Sequence, residues 1–443
     1  MDDSGFSEDH VLSELSSFSK KDTNFKKVMS SMCTVPHSIA IKAHDMFLFS
    51  NSGDPGLFEG TDELEKKVIR NCAEMLCHPE PYEAFGHMTS GGTESNFEAV
   101  YHMKYLKQQR MLPMTEMDPV DSIDPVQKSE KNGRSRLNCS RLNRSRLNCP
   151  RLNLVVSSSA HFSFSKIEKL LDLEIRKADV DPFFRVVPSS VRALIDENTV
   201  GIIGIAGSTE FGYPDPIGEL AEIAVSYDLP LHVDAAFGGF VFPFLPEQAS
   251  PAFRALFKEN ADLFAGLDLR FDFRLPGVTS VALDPHKMGL STIPSGVIVY
   301  RNENAHKGLD VLTHYLTNPI QSTVLSTRTG TSAAATYAVM RHLGRDGYSK
   351  NVRYCLDLKG HFLEKAKEAG FSPSVPPFLN IVTLPFKDHE TVSVIRRRMK
   401  EKYGWHISAS RQIPALRFVL MPHVSFEDID RMFEDLVCLL DDI

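Results

Sequence analysis

The sequence predicts an α/β fold: a large, mostly parallel sheet covered by helices, followed by a smaller C-terminal α+β domain. Strand-like apolar runs recur at 154–158, 200–206, 229–233, 279–283 and 296–300, with helical patterns between several of them. These runs are continuous in Val, Ile and Leu instead of alternating with polar residues, as expected of strands buried on both faces. From about residue 345 the order changes to a long helix, strands near 378–384 and 415–421, and a closing helix near 425–441. The expected division is an N-terminal arm over 1–60, a large domain over 61–340 and a small domain over 341–443.

Along the chain, a helix is expected from residue 61, where Asp62 and Glu65 have the spacing of a capping box and Leu64, Val68, Ile69, Met75 and Leu76 share a face. A short apolar stretch ending at Met88 leads into TSGGTESN at 89–96, then a helical run through Phe97, Val100, Tyr101 and Tyr105. An insertion is expected over about 120–153. Within it RSRLNC occurs at 134 and again at 144, and its five-residue period suits neither a helix nor a strand face. Six arginines over 134–153 also allow a nucleic-acid-binding reading, although no aromatic residue is interleaved for base stacking. The segment GLDLRFDFRLPGVTS at 266–280 is more charged than expected beside a buried strand.

With 443 residues the chain can bury a sizeable core, and 42% apolar and 24% charged residues are ordinary globular usage. A net charge of −8 gives no global electrostatic reason to bind nucleic acid or an anionic membrane, so a small-molecule partner is expected. The N-terminus MDDSGFSEDH has no apolar h-region and no run of 18 apolar residues occurs, which predicts a cytoplasmic protein without a membrane span. Seven cysteines without a CxxC pair argue against a disulfide framework and a zinc knuckle, and no HExxH-like spacing occurs, so no metal is expected.

Four groups of residues carry chemistry. Lys287, in TSVALDPHKMGL, follows a strand-like run at the sheet edge where α/β ligands sit, and a lysine held there can form an imine with an aldehyde. Asp234, in LPLHVDAAFGGF, ends another apolar strand, where a carboxylate is unfavourable unless a cation such as a protonated ring nitrogen meets it. The other reading of Asp234 is a strand-end cap for the next turn. Ala235 and Ala236 are small enough for a flat ring to approach. Ser90, Gly91, Gly92 and Thr93 precede a helix and offer backbone amides and a positive dipole end to a phosphate, while matching neither the P-loop nor the dinucleotide pattern. His161, in SSSAHFSFSKI, follows a strand and is placed to lie on one face of an aromatic ring, although a lone histidine is more often a hydrogen-bonded surface or core residue. The ordered set, each at an expected strand end, favours the joint reading.

On TSGGTESN, HFSFSK, HVDAAFGGF and DPHKMG the chain resembles the group II pyridoxal 5'-phosphate (PLP) dependent decarboxylases of fold type I, from about residue 30 to 441. GDPGLFEGT at 53–61, STRTGTSAAATYAVM at 326–340 and LRFVLMPHVSFEDID at 416–430 make it most similar to the archaeal tyrosine/aspartate decarboxylases. The resemblance implies a homodimer with active sites at the subunit interface. It also implies Lys287 as the lysine that holds the cofactor, Asp234 at the ring nitrogen, His161 on the ring, His286 near the phosphate and Arg417 at the substrate carboxylate. Tyr315, 28 residues after Lys287 in LTHYLTNP, matches the family's lid tyrosine, which reaches into the neighbouring subunit's site and can deliver a proton to Cα. The stretch around it has no strand or helix pattern, which suits a mobile lid. The implied substrates are tyrosine, giving tyramine for methanofuran, and aspartate, giving β-alanine for coenzyme A. Glutamate, and the C–C cleavage of the similar sphingosine-phosphate lyases, are the alternatives.

Overall fold

The computed structural model describes residues 5–23, 25–111, 151–248, 250–305 and 308–442. Seven strands form the main sheet: β1 (Phe85–Thr89), β2 (Asn153–Ser157), β3 (Glu174–Ala178), β4 (Thr199–Ile205), β5 (Leu231–Ala235), β6 (Val278–Leu283) and β7 (Gly296–Tyr300). Their spatial order is β1-β7-β6-β5-β4-β2-β3, and β7 alone runs against its neighbours. The sheet is therefore mostly parallel, with β2, β4, β5 and β7 buried along their whole length. The expected run at 229–233 starts two residues late, at Leu231, because Pro230 precedes it and has no N–H to give to a ladder.

A two-stranded ribbon, β8 (Val311–Leu312) with β9 (Ile320–Gln321), replaces the structureless stretch expected around Tyr315. The C-terminal sheet has the order β10-β12-β11, from β10 (Ile381–Pro385), β11 (Ser408–Ala409) and β12 (Ala415–Val419), all antiparallel. Its core includes Phe362, Trp405, Phe418 and Leu436. The N-terminal chain is tied to it, since Met29 donates to the His406 carbonyl at 2.9 Å and accepts from the Val419 amide at 2.8 Å. One helix, Gly330–Glu368, connects the two sheets and is interrupted by non-helical backbone at Gly344. From it Lys359 reaches a buried position, donates to the carbonyls of Pro377 and Phe378 and lies 4.6 Å from the Phe257 ring centre, and burial lowers its pKa to about 7.

Three sequence expectations need correction. The helix at Glu59–Met75 starts without a side-chain cap, and Asp62 and Glu65 form no capping box. Asp62 instead pairs with Lys66 at 2.6 Å, and Glu65 is drawn inward, accepting from the Met88 amide at 2.7 Å and pairing with Arg328. The expected insertion runs too far, because Leu152 and Asn153 are buried and Asn153 begins β2, donating to Asp196 at 2.8 Å. The rest of the arginine repeat, up to residue 150, lies outside the described residues. The charged segment at 266–280 is compatible with the core: Phe271, Phe273 and Leu275 are buried, while Asp268–Arg270 and Asp272–Arg274 pair with each other at 2.8 Å. No helix among the described residues is long and apolar enough to cross a membrane.

Candidate active site

Parallel strands end at one edge of a sheet, and loops leaving that edge converge. Here β2, β4, β5 and β6 deliver Ser159 and His161, Gly207 and Thr209, Asp234 and Ala236, and Asp284, His286 and Lys287 to a single cavity of about 400 Å³. The loop Ser90–Thr93 and Asn96 complete its wall. The four groups singled out in the sequence therefore meet in space.

The loop can approach the sheet only because it is built of small residues. A Cβ on Gly296 of β7 would lie 2.6 Å from the Gly91 nitrogen, and one on Gly92 would lie 3.0 Å from the Ala236 Cβ. The helix Gly92–Met111 starts at the cavity and turns its positive dipole end to it; the amides of Glu94 and Ser95 donate to the Gly91 carbonyl at 3.0 and 3.2 Å, which leaves those of Gly92 and Thr93 at the cavity wall. Glu94 secures the loop, accepting from the Ser90 amide at 2.8 Å and its hydroxyl at 2.6 Å.

Lys287 is largely buried and its Nζ lies 2.9 Å from Asp284 Oδ2. Burial works against the ammonium, but the charge and hydrogen bond of Asp284, with Asp234 behind it, win and raise the lysine above its ordinary range. The other oxygen of Asp284, Oδ1, is buried with no hydrogen-bond partner. His286 accepts from the Ser295 amide through Nδ1 at 3.2 Å, and burial lowers its pKa, so a neutral ring keeps its proton on Nε2. His161 does the same, accepting from the Ser163 amide through Nδ1 at 3.3 Å, with burial again the main cause of a lowered pKa. Asp234 accepts from the Ala236 amide at 3.1 Å and from Asn96 Nδ2 at 2.8 Å.

Two expected residues lie elsewhere in the single chain. Tyr315 sits between β8 and β9, is 85% exposed and does not line the cavity. Arg417 is buried on β12, where burial lowers its pKa to about 10, and it stands behind the cavity wall instead of in it. Its guanidinium donates to the Thr209 carbonyl through Nε at 2.8 Å, and to Ser408 Oγ at 3.1 Å and the Ser30 carbonyl at 3.4 Å. Thr209 lines the cavity, so Arg417 reaches the space through that loop.

Residues 136–372 match the model of the pyridoxal-dependent decarboxylase conserved domain, just over half of the chain. The probable L-tyrosine/L-aspartate decarboxylase of Methanosarcina barkeri is 42% identical over 98% of both chains. This chain belongs to the pyridoxal-dependent decarboxylase family. The probable L-aspartate decarboxylase of Archaeoglobus fulgidus is 38% identical over 96% of this chain and 98% of its own. Among solved structures, the glutamate decarboxylase of Lactobacillus brevis superposes with a TM-score of 0.80 at 19% identity, covering 100% of this chain and 94% of that one. The sphingosine-1-phosphate lyase of Burkholderia pseudomallei superposes at 0.77 with 21% identity, covering 100% and 92%. These last two share the fold, and the sequence relatives place the chain among amino-acid decarboxylases that use PLP.

The residues present fit that cofactor. The cavity walls offer an amine, a carboxylate, a neutral imidazole and a set of amides ahead of a helix, and the orphaned Asp284 Oδ1 marks a polar group awaiting a partner. Asp284, Asn96 and Thr209 also line the cavity and were not among the residues singled out in the sequence. Asp284 stood inside the DPHK motif, and a strand-end carboxylate three residues before the lysine was the available signal. Asn96 sits in the first turns of a helix, where its type carries no signal of its own.

Proposed function

We propose that this PLP-dependent decarboxylase converts L-tyrosine to tyramine and L-aspartate to β-alanine, the two substrates named for its sequence relatives. The observation that carries the reaction class is the single cavity joining Lys287, Asp234, His161 and the Ser90–Thr93 loop. Bound PLP supplies an electron sink for the pair released when the Cα–carboxylate bond breaks. The chain supplies the rest. The amides of Gly92 and Thr93, with Ser90 and Thr93, would hold the phosphate, and the Nε2–H of neutral His286 would stand beside them. Asp234 would accept from the ring nitrogen, His161 and Ala236 would flank the ring, and Lys287 would hold the aldehyde carbon. Asp284 Oδ2 is in place to take the ammonium proton when Lys287 must act as a free amine.

Arg417 supports the substrate carboxylate by fixing the Thr209 loop. The exposed guanidinium of Arg411, 6.0 Å from the Phe162 ring, adds a second cation on the His161 side. A homodimer agrees with the surface. The helix Glu8–Ser19 has no buried residue and presents Leu12, Leu15 and Phe18 to solvent, and exposed Val311, Leu312 and Ile320 surround Tyr315. Covering those side chains with a second copy removes apolar surface from water. It also carries Tyr315 toward another subunit's cavity, where its phenol donates a proton to Cα.

Carbon dioxide release from a panel of L-amino acids tests the substrates. Turnover of tyrosine and aspartate above glutamate is expected, and turnover of glutamate alone would overturn the assignment. Tyr315→Phe is expected to bind substrate and release carbon dioxide while amine formation falls by about 100-fold. The ratio of amine to carbon dioxide measures this, and a ratio of unity at the wild-type rate removes Tyr315 from proton delivery.

A further inference from the structure

Asp234 is held by more than its own strand. Asn96 Nδ2 donates to Asp234 Oδ2 at 2.8 Å, Asn96 Oδ1 lies 2.9 Å from His232 Nε2, and His232 Nδ1 lies 2.8 Å from Ser280 Oγ. All four side chains are buried: Asn96 and His232 at 1% and 0% exposure, Ser280 at 3% and Asp234 at 8%. They come from three elements, the helix Gly92–Met111, β5 and β6.

The direction of every hydrogen bond follows from the first. A carboxylate only accepts, so the amide nitrogen of Asn96 must face Asp234 and its oxygen must face His232. That oxygen only accepts, so His232 carries its proton on Nε2. Burial drives the His232 pKa down to about 4, so the ring is neutral and Nδ1 is a bare acceptor for the Ser280 hydroxyl. Each donor thus points toward Asp234, and aligned donors in a dry interior reinforce one another. The other titratable groups that feel Asp234 are His161 and Lys287, both on the cavity side.

We propose that Asn96, His232 and Ser280 act as a one-way positioning relay that keeps the shared proton on the cofactor's ring nitrogen instead of on Asp234. In a buried pair of a carboxylate and a pyridine nitrogen, the proton rests on either partner, and the neutral pair gains as water is excluded. A donor fixed on the far oxygen stabilises the carboxylate and so favours the protonated ring. This rests on the reading that Asp234 meets the ring nitrogen.

The test is the ring-nitrogen signal of holoenzyme reconstituted with ¹⁵N-labelled PLP, followed by NMR against pH and without substrate. Wild type is expected to hold the nitrogen protonated across the neutral range; a deprotonated nitrogen there would contradict the placing of Asp234 itself. With wild type protonated, Asn96→Leu is expected to lower the pH at which the nitrogen loses its proton by about one to two units. His232→Phe should lower it less and Ser280→Ala least, because the lost donor is farther from the carboxylate. A purely structural role would lower the melting temperature and leave the ring-nitrogen titration unchanged in Asn96→Leu and His232→Phe, and that result overturns the relay. If those two variants do not fold, the ¹⁵N signals of His232 in wild type decide: a neutral ring protonated on Nε2 is expected, and protonation on Nδ1 or on both nitrogens contradicts it.

Discussion

Lys287→Ala is expected to fold and to lose both the visible absorption of covalently held cofactor and turnover, with kcat falling by about four orders of magnitude or more. Lys287 is the only lysine among the described residues that line the cavity, so none of these offers a second amine in its place. The variant also leaves Asp284, 3% exposed, without its cation, and a buried carboxylate deprived of its partner destabilises the fold. A lower melting temperature is therefore expected alongside the loss of activity. Lys287→Arg separates the two effects. It retains a positive charge opposite Asp284 but cannot make the covalent link, so it should recover stability and remain inactive. Turnover in either variant at near the wild-type rate contradicts the assignment of Lys287.

Asp234→Asn is expected to retain the covalently bound cofactor and its visible absorption while kcat falls by about 1000-fold and KM changes little. The carboxamide occupies the same volume at the end of β5 but offers the ring nitrogen no charge, so the electron sink weakens when negative charge develops. Asp284 is the other carboxylate among the described residues of the cavity wall. An unchanged kcat in Asp234→Asn, with a large loss in Asp284→Asn, would move the acid from one strand end to the other. Steady-state rates of carbon dioxide release for the two variants distinguish these outcomes.

The main sheet was legible because strands covered on both faces must be apolar throughout, and Leu154–Val156, Val200–Ile205, Val281–Leu283 and Val297–Val299 are. β3, EIRKA, escaped notice for the opposite reason: among the described residues it pairs with β2 alone, at the sheet edge, and Ala178 is the one residue of the five that is buried. The helix His389–Arg398 was missed because its outer face carries Arg396, Arg397 and Arg398, although Asp388 marks its start by accepting from the Thr391 amide at 2.8 Å. Residues at strand ends were readable as a cavity, since topology alone gathers the carboxyl ends of parallel strands. Partners such as Asn96 and His232 were not, because their roles depend on which elements touch and their residue types are neutral at those positions. Glu65 shows the same limit from the other side. Its spacing from Asp62 suited a cap, but tertiary contact with Arg328 and the Met88 amide outweighed the local choice.

Everything above turns on PLP being held by Lys287 and used to remove a carboxylate. Borohydride reduction of the PLP-loaded protein, followed by digestion and mass spectrometry, tests it most directly. A pyridoxyl phosphate adduct on Lys287 alone is expected, with loss of the visible absorption and of carbon dioxide release in step with the extent of reduction. An adduct on another lysine, or decarboxylation that survives complete reduction, would contradict it.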